Sequence, residues 1–508
     1  MKCPPATKPK KTQCYRLKPM KALRNIQSRV RSWFSTALFT NSLWGVVSNV
    51  LQNILFSVFF IVLARQYSTE DFAQYVIANT VYGFILGFST LGLGHWFIRE
   101  LVNTEDKKTL TDKFFKIQLY SGLFFYLVNI LMSYSLYDSQ LVRNLSVLIG
   151  INIIFDNIIN VIKYINIARL EQRKTFVILT IEAFLKFLLA CVLFVYPVPV
   201  LYLSFFLILL RLVTLNLFLR YGSSKDVSLP QILRIIVPWK ELKSLLASNW
   251  SFIIIGSISV IYWRIGSILV SKVLDLEAVA NYEISFKLFS IAYLLPVIVA
   301  STVYPMLLNA YKENLQAMRK VYHNAFIAFM AYGLISYTFI YSFADMIVPW
   351  LFSDKYAGTP QYCKEMFLSI LIFPTLFLQA NVMITMKLEK LDMLCNIVSL
   401  VLNVSLCFIG FSIDKSLTVV NLAIFISFIA FHMIQDYVLW KRGVSGWKEV
   451  SGFYLVSAAL VFGYQYLNSM MNPFVLFAGF WILLLSVGWI FYSRWTKKQK
   501  MEFSVSQS

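Results

Sequence analysis

The sequence is dominated by long apolar stretches that recur from residue 43 to residue 493. A hydrocarbon core of ~30 Å requires about 20 mostly apolar residues per helix, and the backbone polar groups must bond within the same segment. Fourteen stretches meet this requirement, so we predict an all-α integral membrane protein with about fourteen transmembrane helices. They occupy residues 43–65, 74–96, 115–136, 144–164, 176–196, 199–219, 250–271, 280–305, 326–350, 366–386, 391–412, 416–438, 452–467 and 474–493.

The composition excludes a soluble protein. Hydrophobic residues make up 58% of the 508 residues and charged residues only 14%, whereas a soluble domain carries about 25% charged residues. The six cysteines show no C-x-x-C spacing, so no disulfide framework is expected. The net charge of +21 does not indicate nucleic-acid binding, because it accompanies strongly apolar segments.

The basic residues follow the predicted topology. The N-terminal tail and the alternate connections on its side hold 36 of the 46 Lys and Arg residues, the opposite connections hold 6, and the spans hold 4. Basic loops stay in the cytoplasm. The alternation therefore predicts an even number of crossings, with both termini in the cytoplasm.

The connections are too short to hold a catalytic domain. We predict a basic cytoplasmic tail at 1–41, a first lobe at 42–220, a linker at 221–249, a second lobe at 250–440, and a final helix pair with its tail at 441–508. The first 41 residues lack the apolar core of a cleavable signal peptide. Either Met1 or Met20 is compatible with translation initiation.

A short internal repeat supports the two lobes. Residues 65–75 align without gaps on residues 272–282, an offset of 207 residues. Both segments form the loop after one span and the start of the next. Two units of six spans would have the same orientation, as in transporters whose site lies between parallel repeats. The matching pairs are Arg65 with Lys272, Glu70 with Glu277, Ala73 with Ala280, Gln74 with Asn281, and Tyr75 with Tyr282.

The residues around this repeat resemble a known family. The run Leu-Ala-Arg-Gln-Tyr-Ser-Thr-Glu-Asp-Phe-Ala-Gln-Tyr at 63–75, with Leu-Gly-Leu-Gly at 91–94, is similar to the polysaccharide transporters of the multidrug/oligosaccharidyl-lipid/polysaccharide (MOP) superfamily, of the O-antigen flippase type. The family usually has Gly where Ala73 and Ala280 stand. The resemblance, which extends over roughly residues 40–495, implies a flippase for a polyprenyl-diphosphate-linked oligosaccharide.

One polar stripe and one base in the spans indicate a shared cavity. An ionisable group at the bilayer centre costs ~2.5–3.5 kcal/mol, so it usually faces the bundle interior or water. Arg264 lies inside the seventh span, and subtracting the repeat offset places it over Ser57, which shares a helix face with Asn49 and Asn53. We expect Arg264, Asn53 and Ser57 to bind substrate. Two alternatives remain for Arg264, a structural contact between the lobes and an outward-pointing side chain.

Two pairs of opposite charges lie four residues apart within spans. Glu182 precedes Lys186, and Glu283 precedes Lys287. This spacing places each pair on one helix face, where the charges can neutralise each other. An internal salt bridge is therefore one interpretation for each pair. The other is that Lys186 and Lys287 bind substrate and that Glu182 couples transport to an ion.

The remaining charges in the first lobe are Asp156 and Arg211. Asp156 is flanked at four-residue steps by Asn152 and Asn160. This pattern is compatible with helix packing through hydrogen bonds or with a proton- or sodium-linked role. Arg211 lies nearer the cytoplasmic end of its span, where a structural role or an interfacial position is expected.

The sequence contains no ATP-binding phosphate loop, dinucleotide fingerprint or H-E-x-x-H motif, so we predict a transporter without a cofactor rather than an enzyme. Its expected partners are the lipid-linked oligosaccharide, the bilayer and other polysaccharide-assembly membrane proteins, with no nucleic acid. Two alternatives remain, a cation-coupled multidrug exporter of the same superfamily and a polytopic polysaccharide polymerase or glycosyltransferase. The first would favour acids in its cavity, and the second would need a large external loop.

Overall fold

The computed structural model describes residues 37–222 and 235–486, and all regular structure in these two ranges is helical. The first range contains eight α-helices. They are α1 (Ala37–Gln66), α2 (Thr69–Ser89), α3 (Gly94–Asn103), α4 (Lys107–Leu136), α5 (Gln140–Gly150), α6 (Asn152–Ala168), α7 (Gln172–Val195) and α8 (Val200–Tyr221).

The second range contains ten α-helices and two short 3-10 segments, Asp354–Tyr356 and Phe367–Leu371. The α-helices are α9 (Trp239–Ser248), α10 (Trp250–Val273), α11 (Leu276–Glu313), α12 (Leu315–Phe352), α13 (Thr359–Met366), α14 (Phe373–Thr385), α15 (Glu389–Ile413), α16 (Leu417–Lys441), α17 (Trp447–Asn468) and α18 (Pro473–Ser486).

The helices confirm a multi-pass membrane protein. Twelve helical segments in the described ranges are long and apolar enough to cross a bilayer. The 24 residues of α10 cover the predicted seventh span as well. The predicted fourteenth span begins as α18 but extends beyond the described residues. The count of fourteen therefore stays a prediction, as do the two terminal tails, which also lie outside these ranges.

The internal repeat has the same local structure in both lobes. Helices α1 and α10 end at Gln66 and Val273, and the following helices α2 and α11 begin after the N-caps Ser68 and Asp275. Each cap side chain accepts a hydrogen bond from the backbone N–H three residues later, at 3.1 Å and 2.7 Å. Such a bond satisfies one of the four N–H groups that a helix start leaves free. All these positions coincide at the offset of 207 residues.

The amide of the repeat also has an equivalent role in both lobes. Gln74 accepts a hydrogen bond from Ser139 at the start of α5, and Asn281 accepts one from Thr359 at the start of α13, each at 2.6 Å. Each amide therefore ties the second helix of its lobe to a later helix.

The Leu-Gly-Leu-Gly segment divides the predicted second span into α2 and α3. Leu91 and Gly92 have φ values of 53° and 59°, the left-handed conformation that glycine adopts at little cost and leucine adopts only under constraint. Gly94 follows, where a Cβ atom would lie 2.3 Å from the ring of Tyr164. The turn therefore requires the small residues of this motif.

The two lobes meet on the side opposite the basic loops, which we call the outer side. There the Lys355 ammonium group donates to the carbonyl oxygens of Arg65, at 3.1 Å, and Tyr67, at 2.5 Å. The hydroxyl of Tyr356 donates to the carbonyl of Ala64 at 3.0 Å. These contacts cap the end of α1 with side chains of the other lobe. We call the set formed by Lys355, Tyr356 and the carbonyls of residues 64, 65 and 67 the outer latch.

Further hydrogen bonds between the lobes lie between the outer side and the middle of the membrane. Tyr137 and Ser271 join the lobes near the outer side at 2.7 Å, and Thr80 and Glu283 join them about halfway along α2 at 3.5 Å. Among the described residues, no side-chain hydrogen bond joins the two lobes nearer the basic loops, although the helices still pack there, since a Cβ atom at Gly87 of α2 would lie 2.3 Å from Val260 of α10. The hydrogen bonds between the lobes are therefore concentrated toward the outer side, away from the face that carries the basic loops, which we call the basic face.

The linker predicted at residues 221–249 contains the exposed helix α9. Helix α9 has no buried side chain, and Trp239 is 72% exposed. Glu241 pairs with Lys113 of α4 at 2.8 Å. A helix of this kind is suited to the membrane interface.

Candidate functional site

A cavity of about 580 Å³ lies between the lobes near the middle of the membrane. Helices α1, α2 and α5 to α8 of the first lobe and α10 and α11 of the second contribute to its wall. A site between parallel repeats at this depth is typical of transporters. The polar lining residues are Gln52, Asn79, Thr80, Asn152, Glu182, Lys186, Arg211, Arg264, Glu283 and Lys287, and its aromatic residues are Phe56, Phe59, Phe60, Tyr75 and Tyr82.

The charged lining residues are mostly basic. Four are cations, namely Lys186, Arg211, Arg264 and Lys287, against the two acids Glu182 and Glu283. In a site that is partly screened from water, fixed charges act more strongly than at the surface. The cavity wall therefore favours an anionic ligand.

The charges of the first lobe form one connected network. Arg211 of α8 donates through Nε to Asp156 of α6 at 2.6 Å and also pairs with Glu182 of α7. The other Glu182 oxygen pairs with Lys186 at 2.8 Å, which confirms the salt bridge considered for this pair. Tyr82 of α2 donates to Asp156. The network is formally neutral, since it contains two acids and two bases.

The interfacial position considered for Arg211 is wrong. Its side chain is only 20% exposed and lines the cavity instead of reaching the membrane surface. Asp156 and Glu182, each 2% exposed, account for this position. A buried carboxylate requires a cation nearby. The pairing was not visible in the sequence because Arg211 lies 55 residues from Asp156, with no periodicity linking them.

Two of the basic residues that line the cavity, Arg264 and Lys287, belong to the second lobe. Neither has a carboxylate partner within ion-pair distance among the described residues. Arg264 of α10 lies against Gly83 of α2, where a Cβ atom would come within 3.2 Å of the guanidinium group. Lys287 of α11 lies 5.8 Å from the centre of the Phe60 ring. The cavity therefore presents two cations that form no ion pair with a described carboxylate, although Arg264 lies near enough to Glu283 for their charges to interact.

The salt bridge considered for Glu283 and Lys287 is absent from the structure. The carboxylate of Glu283 is turned toward the hydroxyl of Thr80 across the lobe interface, while the ammonium group of Lys287 is directed toward α1. Four-residue spacing permits a pair on one helix face but does not require one, because neighbouring helices compete for each side chain.

Two expected substrate-binding residues do not line the cavity. Ser57 is buried and donates to the carbonyl of Asn53 at 2.6 Å, and Asn53 donates to the carbonyl of Asn49 at 2.8 Å. Both side chains thus bond within α1. A neighbouring face of α1 lines the cavity through Gln52 and Phe56, with the aromatic residues that follow at helical spacing.

Sequence reasoning missed several lining residues, notably Gln52, Asn79, Asn152 and Tyr82. Asn152 was noted in the stripe with Asp156 but was not assigned to the site. Within residues 37–222 and 235–486, no group of three or more His, Cys, Asp or Glu side chains is placed to hold a metal ion.

Structural comparison finds the same fold in solved transporters. An inward-facing multidrug resistance MATE family transporter of the MOP superfamily matches with a TM-score of 0.64 at 14% identity, covering 80% of this chain and 96% of that one. An outward-facing multidrug resistance MATE family transporter of the MOP superfamily matches with a TM-score of 0.52 at 15% identity, covering 82% of this chain and 96% of that one. A MOP superfamily transporter from Pyrococcus furiosus matches at 0.55, with 15% identity and the same coverages.

No curated protein matches the sequence significantly. A family model described as polysaccharide biosynthesis protein matches residues 62–360. This range includes the repeat in both lobes and every charged residue that lines the cavity. The chain therefore belongs to this polysaccharide biosynthesis family.

Proposed function

We propose that the protein is a flippase that moves a polyprenyl-diphosphate-linked oligosaccharide, such as an O-antigen or capsule repeat unit, from the cytoplasmic to the outer leaflet of a bacterial inner membrane. The observation that carries this proposal is the cavity with two cations that lack a carboxylate partner among the described residues, Arg264 and Lys287. The family supplies the polysaccharide context, and the cavity supplies a site for the diphosphate.

The position of the two cations fits a diphosphate. Arg264 can offer a planar fork of N–H donors, and Lys287 a compact ammonium charge. They come from two adjacent helices of one lobe, so a ligand bound by both would remain with that lobe. The substrate would offset the cost of keeping two charges at the middle of the membrane.

The rest of the cavity is suited to a sugar. Gln52, Asn79 and Asn152 provide amides that both donate and accept hydrogen bonds. Aromatic residues of α1 and α2 provide flat apolar surfaces beside them. The polyprenyl tail would remain in the lipid, because the cavity of about 580 Å³ is too small for it.

We propose that the basic face is the cytoplasmic face. Alternating access would then load the substrate from the cytoplasm in the present state, and rocking of the lobes would expose the cavity outward. Asp156 and Glu182 are our candidates for coupling to an ion gradient. Within their network, uptake of a proton by either acid would change the cavity charge by one.

The multidrug exporter alternative is less well supported. A cavity for cationic drugs would favour acids, whereas here the charged lining is mostly basic. The Pyrococcus furiosus transporter is described as having a binding pocket of reversed polarity that suggests a different function. We propose that in this chain, too, pocket polarity separates its function from drug export.

Deletion of the gene in its host tests the proposal. Lipid-linked repeat units with completed sugars should accumulate in the cytoplasmic leaflet, and surface glycan should be lost, because chemistry precedes flipping. Complementation with the wild-type gene provides the control. Normal export of every surface glycan in the deletion strain would contradict the proposal, while accumulation of unfinished sugars would indicate a glycosyltransferase.

A further inference from the structure

Glu283 and Lys287 have a spacing that permits pairing, yet they are held apart. They lie four residues apart on α11, where oppositely charged side chains usually neutralise each other. Glu283 is 6% exposed and faces Thr80 of the first lobe, with 3.5 Å between the hydroxyl and carboxylate oxygens. Lys287 lies beside the Phe60 ring of the same lobe. Each side chain therefore contacts a group on the opposite lobe, and Glu283 also interacts with the charge of Arg264 on α10.

Movement of the lobes would change these contacts. The Thr80–Glu283 separation is already at the upper limit for a hydrogen bond. Opening of the outer side separates α2 and α1 from α11, so the contacts of Thr80 and Phe60 with α11 are lost together. Glu283 and Lys287 both belong to α11 and would move as one unit.

We propose that Glu283 is a release residue, a carboxylate that displaces the bound diphosphate from Lys287 once the lobes move. In the present state Glu283 faces Thr80 and Arg264 instead of Lys287, so Lys287 is free to bind the substrate. After the movement, the carboxylate competes for the same ammonium group. It has the advantage of being on the same helix, which gives it a high effective concentration. The inference rests on the proposed function and assigns one step of it to a residue.

The second acid of the cavity is not suited to this role. Glu182 pairs with Arg211 and Lys186, and all three belong to the first lobe. Its contacts therefore do not depend on the relative position of the lobes. Glu283 differs because its hydrogen-bond partner Thr80 belongs to the other lobe.

Glu283→Gln tests the role directly. The full-length protein in liposomes would be assayed for flipping of fluorescently labelled farnesyl diphosphate, with initial rates measured over a range of concentrations. Loss of the competing charge should lower the KM about tenfold, the change that corresponds to ~1.4 kcal/mol, and should also lower kcat because release slows. Glu277→Gln, the same change at an exposed position of α11, should alter neither value. A lower kcat with an unchanged KM for Glu283→Gln would overturn the inference.

Thr80 provides the opposite perturbation. Thr80→Val removes the hydroxyl, so Glu283 can pair with Lys287 in the present state and the KM should rise. Thr80→Ser keeps the hydroxyl and should resemble the wild type. The double variant Thr80→Val with Glu283→Gln should match Glu283→Gln alone, because the hydroxyl acts through the carboxylate. Additive effects of the two substitutions would contradict this coupling.

The assay separates the inference from the proposed function. Saturable flipping by the wild type, with the same KM for the wild type and Glu283→Gln, would overturn the release role alone. Absence of saturable flipping or binding of farnesyl diphosphate by the wild type would overturn the proposed function and the inference together.

Discussion

At the scale of single residues, the charged side chains of the cavity are of two kinds, those paired with an opposite charge and those without such a partner. The acids and bases of the first lobe neutralise one another through Arg211. Arg264 and Lys287 of the second lobe have no carboxylate within ion-pair distance among the described residues. Placing an unpaired positive charge inside the membrane costs free energy, so these two residues are expected to have a function.

Arg264→Ala should impair glycan export at normal protein level, and Arg264→Lys should impair it less. Lysine keeps the positive charge but loses the planar fork that can donate two parallel hydrogen bonds to a phosphate. Surface glycan and membrane protein level would be measured in the deletion strain carrying each variant. Full activity of both variants would remove Arg264 from the mechanism.

Arg211→Met should reduce stability, because Asp156 and Glu182 would remain buried without their shared cation. Loss of one partner of a buried pair costs about 3–5 kcal/mol. The melting temperature of the purified protein in detergent would measure the effect. Combining Arg211→Met with Asp156→Asn and Glu182→Gln removes the charges together and should restore most of the lost stability. If the triple variant is as unstable as the single one, shape rather than charge decides the effect.

At the scale of helices, the length of the apolar segments predicted the membrane spans. The internal repeat predicted that α2 and α11 begin at equivalent positions of the two lobes. The turn between α2 and α3 was not predicted, although the Leu-Gly-Leu-Gly segment was identified. The apolar pattern continues through this segment without a break, so hydropathy predicts one continuous span and does not indicate the turn. Only the close approach of Gly94 to Tyr164 shows why the small residues are needed.

The outer latch should favour the present state. Lys355→Ala with Tyr356→Phe removes donors to the end of α1, each worth about 0.5–1.5 kcal/mol. This should shift the population toward the outward-open state by about tenfold. A cysteine at Asn79, in a background with the six native cysteines replaced by serine, would then react faster with an impermeant thiol reagent added outside.

Lys364→Ala is the matched control for the latch. Lys364 also lies near the outer side, but it pairs with Asp345 of the same lobe at 2.6 Å. Its loss should leave the labelling rate of the cysteine at position 79 unchanged. Equal acceleration by the control and the latch variant would mean that surface charge, not contact between the lobes, controls access.

At the scale of the whole molecule, the distribution of bases predicts that both termini lie in the cytoplasm. Alkaline phosphatase fused after the C-terminus should therefore be inactive, because it requires export, whereas a fusion after Asp138 should be active. Asp138 lies in the short connection between α4 and α5, at the outer side. An active C-terminal fusion would indicate an odd number of crossings and would contradict the count of fourteen.

The sequence by itself determined the membrane location, the approximate spans, the repeat and the presence of charges within the spans. These features depend on hydropathy and on local spacing, which can be read along the chain. Only the tertiary structure decided which charges meet. Arg211 joins Asp156 and Glu182 from a third helix, Glu283 faces Thr80 instead of Lys287, and Ser57 bonds within its own helix. The partner of a buried charge is the nearest group in space, and helix packing brings together residues whose separation in the sequence carries no signal.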